Sequence, residues 1–158
     1  SRVRVLNCGI GGEDAEDMAR RIPAVVAEHP DLVVWQTGSN DTLKGNAVPR
    51  FVELTRQGIA AIRAAVSDVL LLEPQFCPAL EAVPDASRYR AALRGLAAEL
   101  KVPLLRRYDL MRAQSSRLDE MIAADGLHMT DAGYAWLAHE VACAILAGTG
   151  RAEGSIPV

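Results

Sequence analysis

Asp31-Leu32-Val33-Val34-Trp35-Gln36-Thr37-Gly38-Ser39-Asn40-Asp41 is the stretch on which the reading of this chain turns. Leu32 to Trp35 is a continuous apolar, β-prone run, the pattern of a strand covered on both faces in a parallel sheet. It breaks into a glycine-led polar turn. Loops that follow parallel strands gather at one edge of the sheet, where α/β folds place their active sites.

Working outward, Arg2 to Leu6 alternates basic and apolar side chains before Asn7-Cys8-Gly9-Ile10-Gly11-Gly12, which reads as a strand entering a tight loop. Asp68 to Glu73 encloses Val69-Leu70-Leu71-Leu72, another buried strand, and Pro74 and Pro78 end it. Val102 to Leu105 is a short fourth strand.

Helices alternate with these strands. The first begins near Glu13, with Ala15, Met18, Ala19, Ile22 and Val25 or Val26 on one face, acidic residues at its positive end and Pro23 as a local kink. The second starts at Pro49 and carries Phe51, Leu54, Ile59, Ile62 and Val66. The third spans Ala86 to Leu100, and one or two short pieces run from after Tyr108 to about Ala123. Thr130 caps a last helix that Gly148 stops, leaving a loose tail at 149–158. Strict β-α alternation without repeats or a dividing linker implies a mostly parallel sheet with helices on both faces, in one domain over residues 1–148.

Composition narrows the function classes. Half of the 158 residues are hydrophobic and 23% charged, enough for a real core, and the formal net charge is −3. Scattered lysines and arginines give no basic field for nucleic acid. No apolar run reaches the roughly 18 residues of a membrane span. Three dispersed cysteines, Cys8, Cys77 and Cys143, suit neither a disulfide framework nor a Cys-x-x-Cys zinc site, and read as buried or half-buried thiols.

Three segments carry chemistry. Asp125-Gly126-Leu127-His128 offers an imidazole that can take a hydroxyl proton and a carboxylate three residues away that can fix its tautomer. Asn40 can donate its amide to an oxygen that becomes negative in a tetrahedral intermediate, although the same residues also suit a plain turn or helix cap. Gly12 can present a backbone N–H with no side chain in the way. A dinucleotide fingerprint is the rival for Gly9 to Gly12, but Asp14 stands where its third glycine belongs, and Glu13 and Asp14 would oppose a pyrophosphate. Gln75, Phe76 and Met129 follow or adjoin these loops and are candidates to line a substrate pocket, with ordinary packing the alternative for Phe76 and Met129. Trp35 reads as core, His29 and His139 as surface groups. Asp125, His128 and Asp131 could imitate a metal site, but nothing supplies a firm third ligand at suitable spacing.

In this order and at these separations, the three segments resemble the second, third and fifth sequence blocks of the SGNH hydrolases, also called GDSL-like esterases and lipases. The resemblance spans nearly the whole chain. It implies a flavodoxin-like three-layer α/β/α sandwich, small-molecule ester or thioester substrates, an acyl-enzyme, and no metal or organic cofactor. By resemblance, His128 is the general base, Asp125 its orienting acid, and Gly12 and Asn40 the oxyanion-hole donors. The family's first block, Gly-Asp-Ser, supplies the nucleophile, and that triplet occurs nowhere in these 158 residues. The expectation is therefore a domain lacking its first strand and helix, with the nucleophilic serine upstream of residue 1. Without that central strand, residues 2–6 and 31–37 would border an empty lane rather than pair with each other. The competing expectation is a hydrolase-like binding module that has lost its nucleophile. Compartment, oligomeric state and substrate identity are left open by the sequence.

Overall fold

The computed structural model describes residues 3–149. Among these residues the chain is α/β, built on a three-stranded sheet of order β1-β2-β3, with β1 at Leu32–Gln36, β2 at Asp68–Leu72 and β3 at Leu104–Leu105. β1 and β2 run parallel, with Leu32 opposite Asp68 and Gln36 opposite Leu72. The helices are α1 (Ala15–Val26), α2 (Ser39–Lys44), α3 (Val48–Ala64), α4 (Pro78–Glu81), α5 (Ala86–Leu100), α6 (Arg107–Ala113), α7 (Leu118–Met121) and α8 (Asp131–Thr149), with one 3-10 turn at Ser115–Arg117. The parallel α/β class expected from the strand-helix alternation holds.

The chain resolves into two compact units, Ser1–Pro74 with Asp85–Leu104, and Gln75–Pro84 with Leu105–Val158. In the first, α1 packs on α3, and α3 on α5 and β2. The core there includes Ile22, Trp35, Phe51, Ile59, Ile62, Leu71 and Leu93. Packing leaves no room for a side chain at Gly58 of α3, where a Cβ would lie 2.4 Å from the Trp35 ring and 2.6 Å from Ile22. Trp35 is core as expected, its indole N–H donating to the Met18 sulfur at 3.2 Å. In the second unit Met111, Met121, Leu80 and Tyr108 are buried.

Three expectations are corrected. Val3 to Leu6, the described part of the first expected strand, has no strand partner among the described residues, and Val3 and Val5 are 86% and 81% exposed. An alternating segment cannot hold strand geometry alone, because its ladder hydrogen bonds need a neighbour. It is not paired with β1. Second, β1 is not covered on both faces: Trp35 is buried while Val34 and Gln36 are exposed. Third, Cys8 and Cys143 are exposed, only Cys77 being buried, although all three are free thiols as expected. The expected tail lies outside the described residues beyond Thr149, the last described residue of α8. No helix among the described residues is long and apolar enough to cross a membrane.

Candidate active site

In the first unit, the end of β1 turns into α2 through Gly38, whose φ of 101° is a left-handed value that favours glycine. Space enforces the same choice, since a Cβ there would press on Phe51 and Pro74 at 3.1 and 3.2 Å. One residue into α2, Asn40 donates its side-chain amide to the Glu13 carbonyl at 2.8 Å. A carbonyl can only accept, so the amide nitrogen must face the glycine turn, and a primary amide has a second N–H to offer. Gly12 immediately precedes Glu13, is exposed, and adopts φ of 83°. No described hydrogen bond takes its N–H. Asn40 and the glycine turn expected to donate to an oxyanion are thus joined through the Glu13 carbonyl.

A polar cluster holds this pair of loops. Asp41 is 1% exposed and accepts the Ala15 N–H at 3.0 Å through one oxygen and the Asn46 amide at 3.1 Å through the other. Burial pushes its carboxyl up from the usual carboxylate range, against the pull of Asn46 and Ala15. Asp14 caps α1 by accepting from the backbone of Glu16 and Asp17, completes a capping box with Asp17, and accepts from Lys44 at 2.9 Å. The Lys44 ammonium, more than any other contact, holds the Asp14 carboxyl well below its usual range. The helix terminus that a dinucleotide would need is therefore taken up by the protein's own carboxylate. Arg21 braces the turn, donating to Glu13 and to the Cys8 carbonyl, each at 2.6 Å.

In the second unit, Asp125 and His128 meet as their spacing suggested. The His128 Nδ1–H donates to Asp125 Oδ2 at 2.6 Å, while Asp125 Oδ1 accepts the backbone N–H groups of Leu127 at 2.9 Å and His128 at 3.0 Å. The Leu127 N–H, followed by the His128 ring, pulls the Asp125 carboxyl down to about 2. An ionised carboxylate accepts only, so it fixes the proton on Nδ1 and leaves Nε2 as a base. The side chain of His128 is 67% exposed, so that nitrogen is open to a reactant. Gly126, with φ of 74°, permits the tight path between the two residues.

The loop is clamped on both sides. Ile122 and Met129 form an antiparallel bridge, Ala123 donates to the His128 carbonyl at 2.8 Å, and Ala79 donates to that of Gly126 at 3.0 Å. Thr130 caps α8, its hydroxyl accepting the Gly133 N–H at 3.1 Å. Of the expected pocket residues, Met129 is buried and Phe76 is half-buried, its ring edge-on to Tyr108 at 5.4 Å. Gln75 is buried at 7% exposure and holds Arg107 and the Leu127 carbonyl with the two ends of its amide. Arg107 escaped the sequence reading, because nothing local marks an arginine as buried. Burial pushes the Cys77 thiol up, which disfavours the thiolate a cysteine nucleophile requires. Among the described residues no group of three His, Cys, Asp or Glu side chains could hold a metal ion.

Comparison with known proteins agrees with the sequence blocks. The model of the non-GDSL lipase-like family matches residues 1–151. Thioesterase 1/protease 1/lysophospholipase L1 of Escherichia coli (strain K12) is 30% identical over 106 residues, which are 66% of this chain and 50% of that protein. Esterase TesA of Pseudomonas aeruginosa is 37% identical over 76 residues, 48% of this chain and 38% of that protein. The chain thus spans half or less of the length of these relatives. Among solved structures, one of TesA superposes with a TM-score of 0.78 at 29% identity, covering 90% of this chain and 77% of that one.

Proposed function

Since the chain belongs to the non-GDSL lipase-like family, in keeping with its resemblance to the SGNH hydrolases, we propose that it is a serine hydrolase that cleaves carboxylic esters or thioesters through an acyl-enzyme. His128 Nε2 takes the serine hydroxyl proton as the oxygen attacks the acyl carbon, and returns it to the departing alcohol or thiol. Asp125 keeps the imidazole in the productive tautomer and stabilises the imidazolium. The Gly12 N–H and the free N–H of Asn40 donate to the carbonyl oxygen as it becomes negative. Water, activated by the same imidazole, then releases the acid.

The nucleophile is proposed to be the serine of a Gly-Asp-Ser block, which none of the serines within residues 1–158 occupies. Phe76 and Met129 are proposed to border the acyl or leaving-group pocket. Carboxylic esters and thioesters are the proposed substrate class, by analogy with the thioesterase and esterase named among the relatives. The observation that carries this reading is the 2.6 Å contact from His128 Nδ1 to a carboxylate whose other oxygen is held by two backbone N–H groups.

The test uses the full-length protein, a chromogenic short-chain ester and a fluorophosphonate probe. His128→Ala is expected to lower kcat by several orders of magnitude and to suppress labelling. Undiminished turnover in that variant would remove His128 from the mechanism, and labelling that ignores the substitution would point to another base.

A further inference from the structure

The Asp125–His128 loop has three successive carbonyls that accept from elsewhere in the same unit. Those of Gly126 and His128 take backbone donors, from Ala79 and Ala123. The middle one, that of Leu127, takes a side chain: Gln75 Nε2 donates to it at 3.1 Å. The other end of that amide, Oε1, accepts from Arg107 Nη2 at 2.6 Å. Arg107 is 2% exposed at the start of α6, and Gln75 follows β2 by three residues.

From this geometry we propose that Gln75 is a positioning residue for His128, and that the buried guanidinium of Arg107 fixes which end of its amide faces the loop. The proposal rests on the hydrolase reading above and deepens it. A guanidinium has five donors and no acceptor. It can therefore meet only the oxygen of Gln75, which turns the NH2 group toward Leu127. A flipped amide would set donor against donor at Arg107, where both side chains are buried, and oxygen against oxygen at Leu127. Leu127 is the residue before His128, and its own N–H is bonded to Asp125. Holding its carbonyl fixes the peptide plane from which the imidazole projects. Catalytic groups misplaced by about 1 Å lose on the order of 100-fold in rate.

Two variants of the full-length protein test this, beside His128→Ala as reference. Gln75→Glu keeps the size of the side chain and its bond to Arg107 but presents an oxygen to the Leu127 carbonyl. Arg107→Met removes the group that sets the amide's direction and leaves Gln75 in place. Both are expected to lower kcat by about 10- to 100-fold while KM stays near the wild-type value, and both should shift or broaden the His128 Nδ1 proton resonance. If one variant does not fold, the other still carries the test. A folded variant with wild-type kcat and an unmoved proton resonance would overturn the proposal, as would a loss residing in KM with kcat intact, which would make Gln75 a substrate contact. Should His128→Ala itself leave turnover unchanged, the hydrolase reading fails instead, so the two failures are distinguishable.

Discussion

Gly133→Ala tests whether the start of α8 and the end of α7 form the clamp that shapes the His128 loop. A Cβ on Gly133 would lie 2.2 Å from the Met121 carbonyl oxygen and 3.0 Å from its carbon. Carbon and carbonyl oxygen ordinarily approach no closer than about 3.3 Å, so one backbone must give way by roughly 1 Å. No rotamer change can relieve this, because the obstacle is main chain. The same carbonyl accepts the Thr130 N–H at 2.9 Å, and the neighbouring residue Ile122 bridges Met129. Displacing Met121 therefore loosens both ends of residues 122–130 at once.

Overpacking costs typically about 1–3 kcal/mol, and a contact against rigid backbone belongs at the upper end. For a chain of this size that is a fall in Tm of roughly 6–12 °C, at about 2–4 °C per kcal/mol. Under the proposed function, a shift of about 1 Å in the loop should also lower ester turnover of the full-length protein by on the order of 100-fold. The assay pairs thermal unfolding followed by circular dichroism with ester hydrolysis on the same preparation. Gly95→Ala is the control: it lies within α5 with nothing within 4 Å of a Cβ, so alanine should stabilise by about 0.4–1 kcal/mol. Wild-type Tm and turnover in Gly133→Ala, or an equal loss in Gly95→Ala, would refute the clamp.

Four further outcomes are expected. Thr37 is 2% exposed and its hydroxyl has no hydrogen-bond partner among the described residues, so the near-isosteric Thr37→Val should raise stability by about 1 kcal/mol, read from the denaturant midpoint; a loss would mean that the hydroxyl is satisfied. Val66 is 92% exposed with φ of 62°, a left-handed value costly for a β-branched residue, so Val66→Asn should gain about 1 kcal/mol in the same experiment, and no gain would contradict the strain. Asp41→Asn turns a donor toward either Ala15 or Asn46 and should cost about 1–3 kcal/mol. Because burial raises this carboxyl in the folded state, its contribution is present below the unfolded value of 3.8 and fades as pH rises through the raised value, so the variant should also flatten that decline. Asp125 is depressed to about 2, so its hold on the loop is present above 3.8 and lost only as pH falls through about 2; the Leu127 and His128 amide resonances should titrate there, and a midpoint near 3.8 would count against the bonds to Asp125.

Local chemistry made much of this fold legible. The bounds of α5 were readable residue for residue, β2 was placed to within one, and Thr130 was identified as a cap, because apolar runs, helical spacing and capping side chains act over a few positions. Asp125 and His128 were legible for the same reason, since three residues of loop bring them together. Ser39-Asn40-Asp41 read as a turn or helix cap because the six residues of α2 give no periodicity, and the helix starts from a backbone feature, the φ of Gly38. Residues 3–6 carry a strand's pattern without a strand's partner, which only the sheet can disclose. Least legible were the long-range polar ties. Asn40 to Glu13 spans 27 positions, Asp41 to Ala15 spans 26, and Gln75 reaches both Arg107 and Leu127. Such pairs are set by tertiary approach and leave no periodic trace.

In the proposed mechanism, His128, Asn40 and Gly12 serve one serine in one reaction. Its most direct measurement is the crystal structure of the full-length protein after reaction with a phosphonate ester. The account expects phosphorus on a serine that lies within hydrogen-bond reach of His128 Nε2, and the phosphonyl oxygen accepting from the Gly12 N–H and the Asn40 amide. An adduct on another residue, or one whose oxygen meets neither donor, would contradict it.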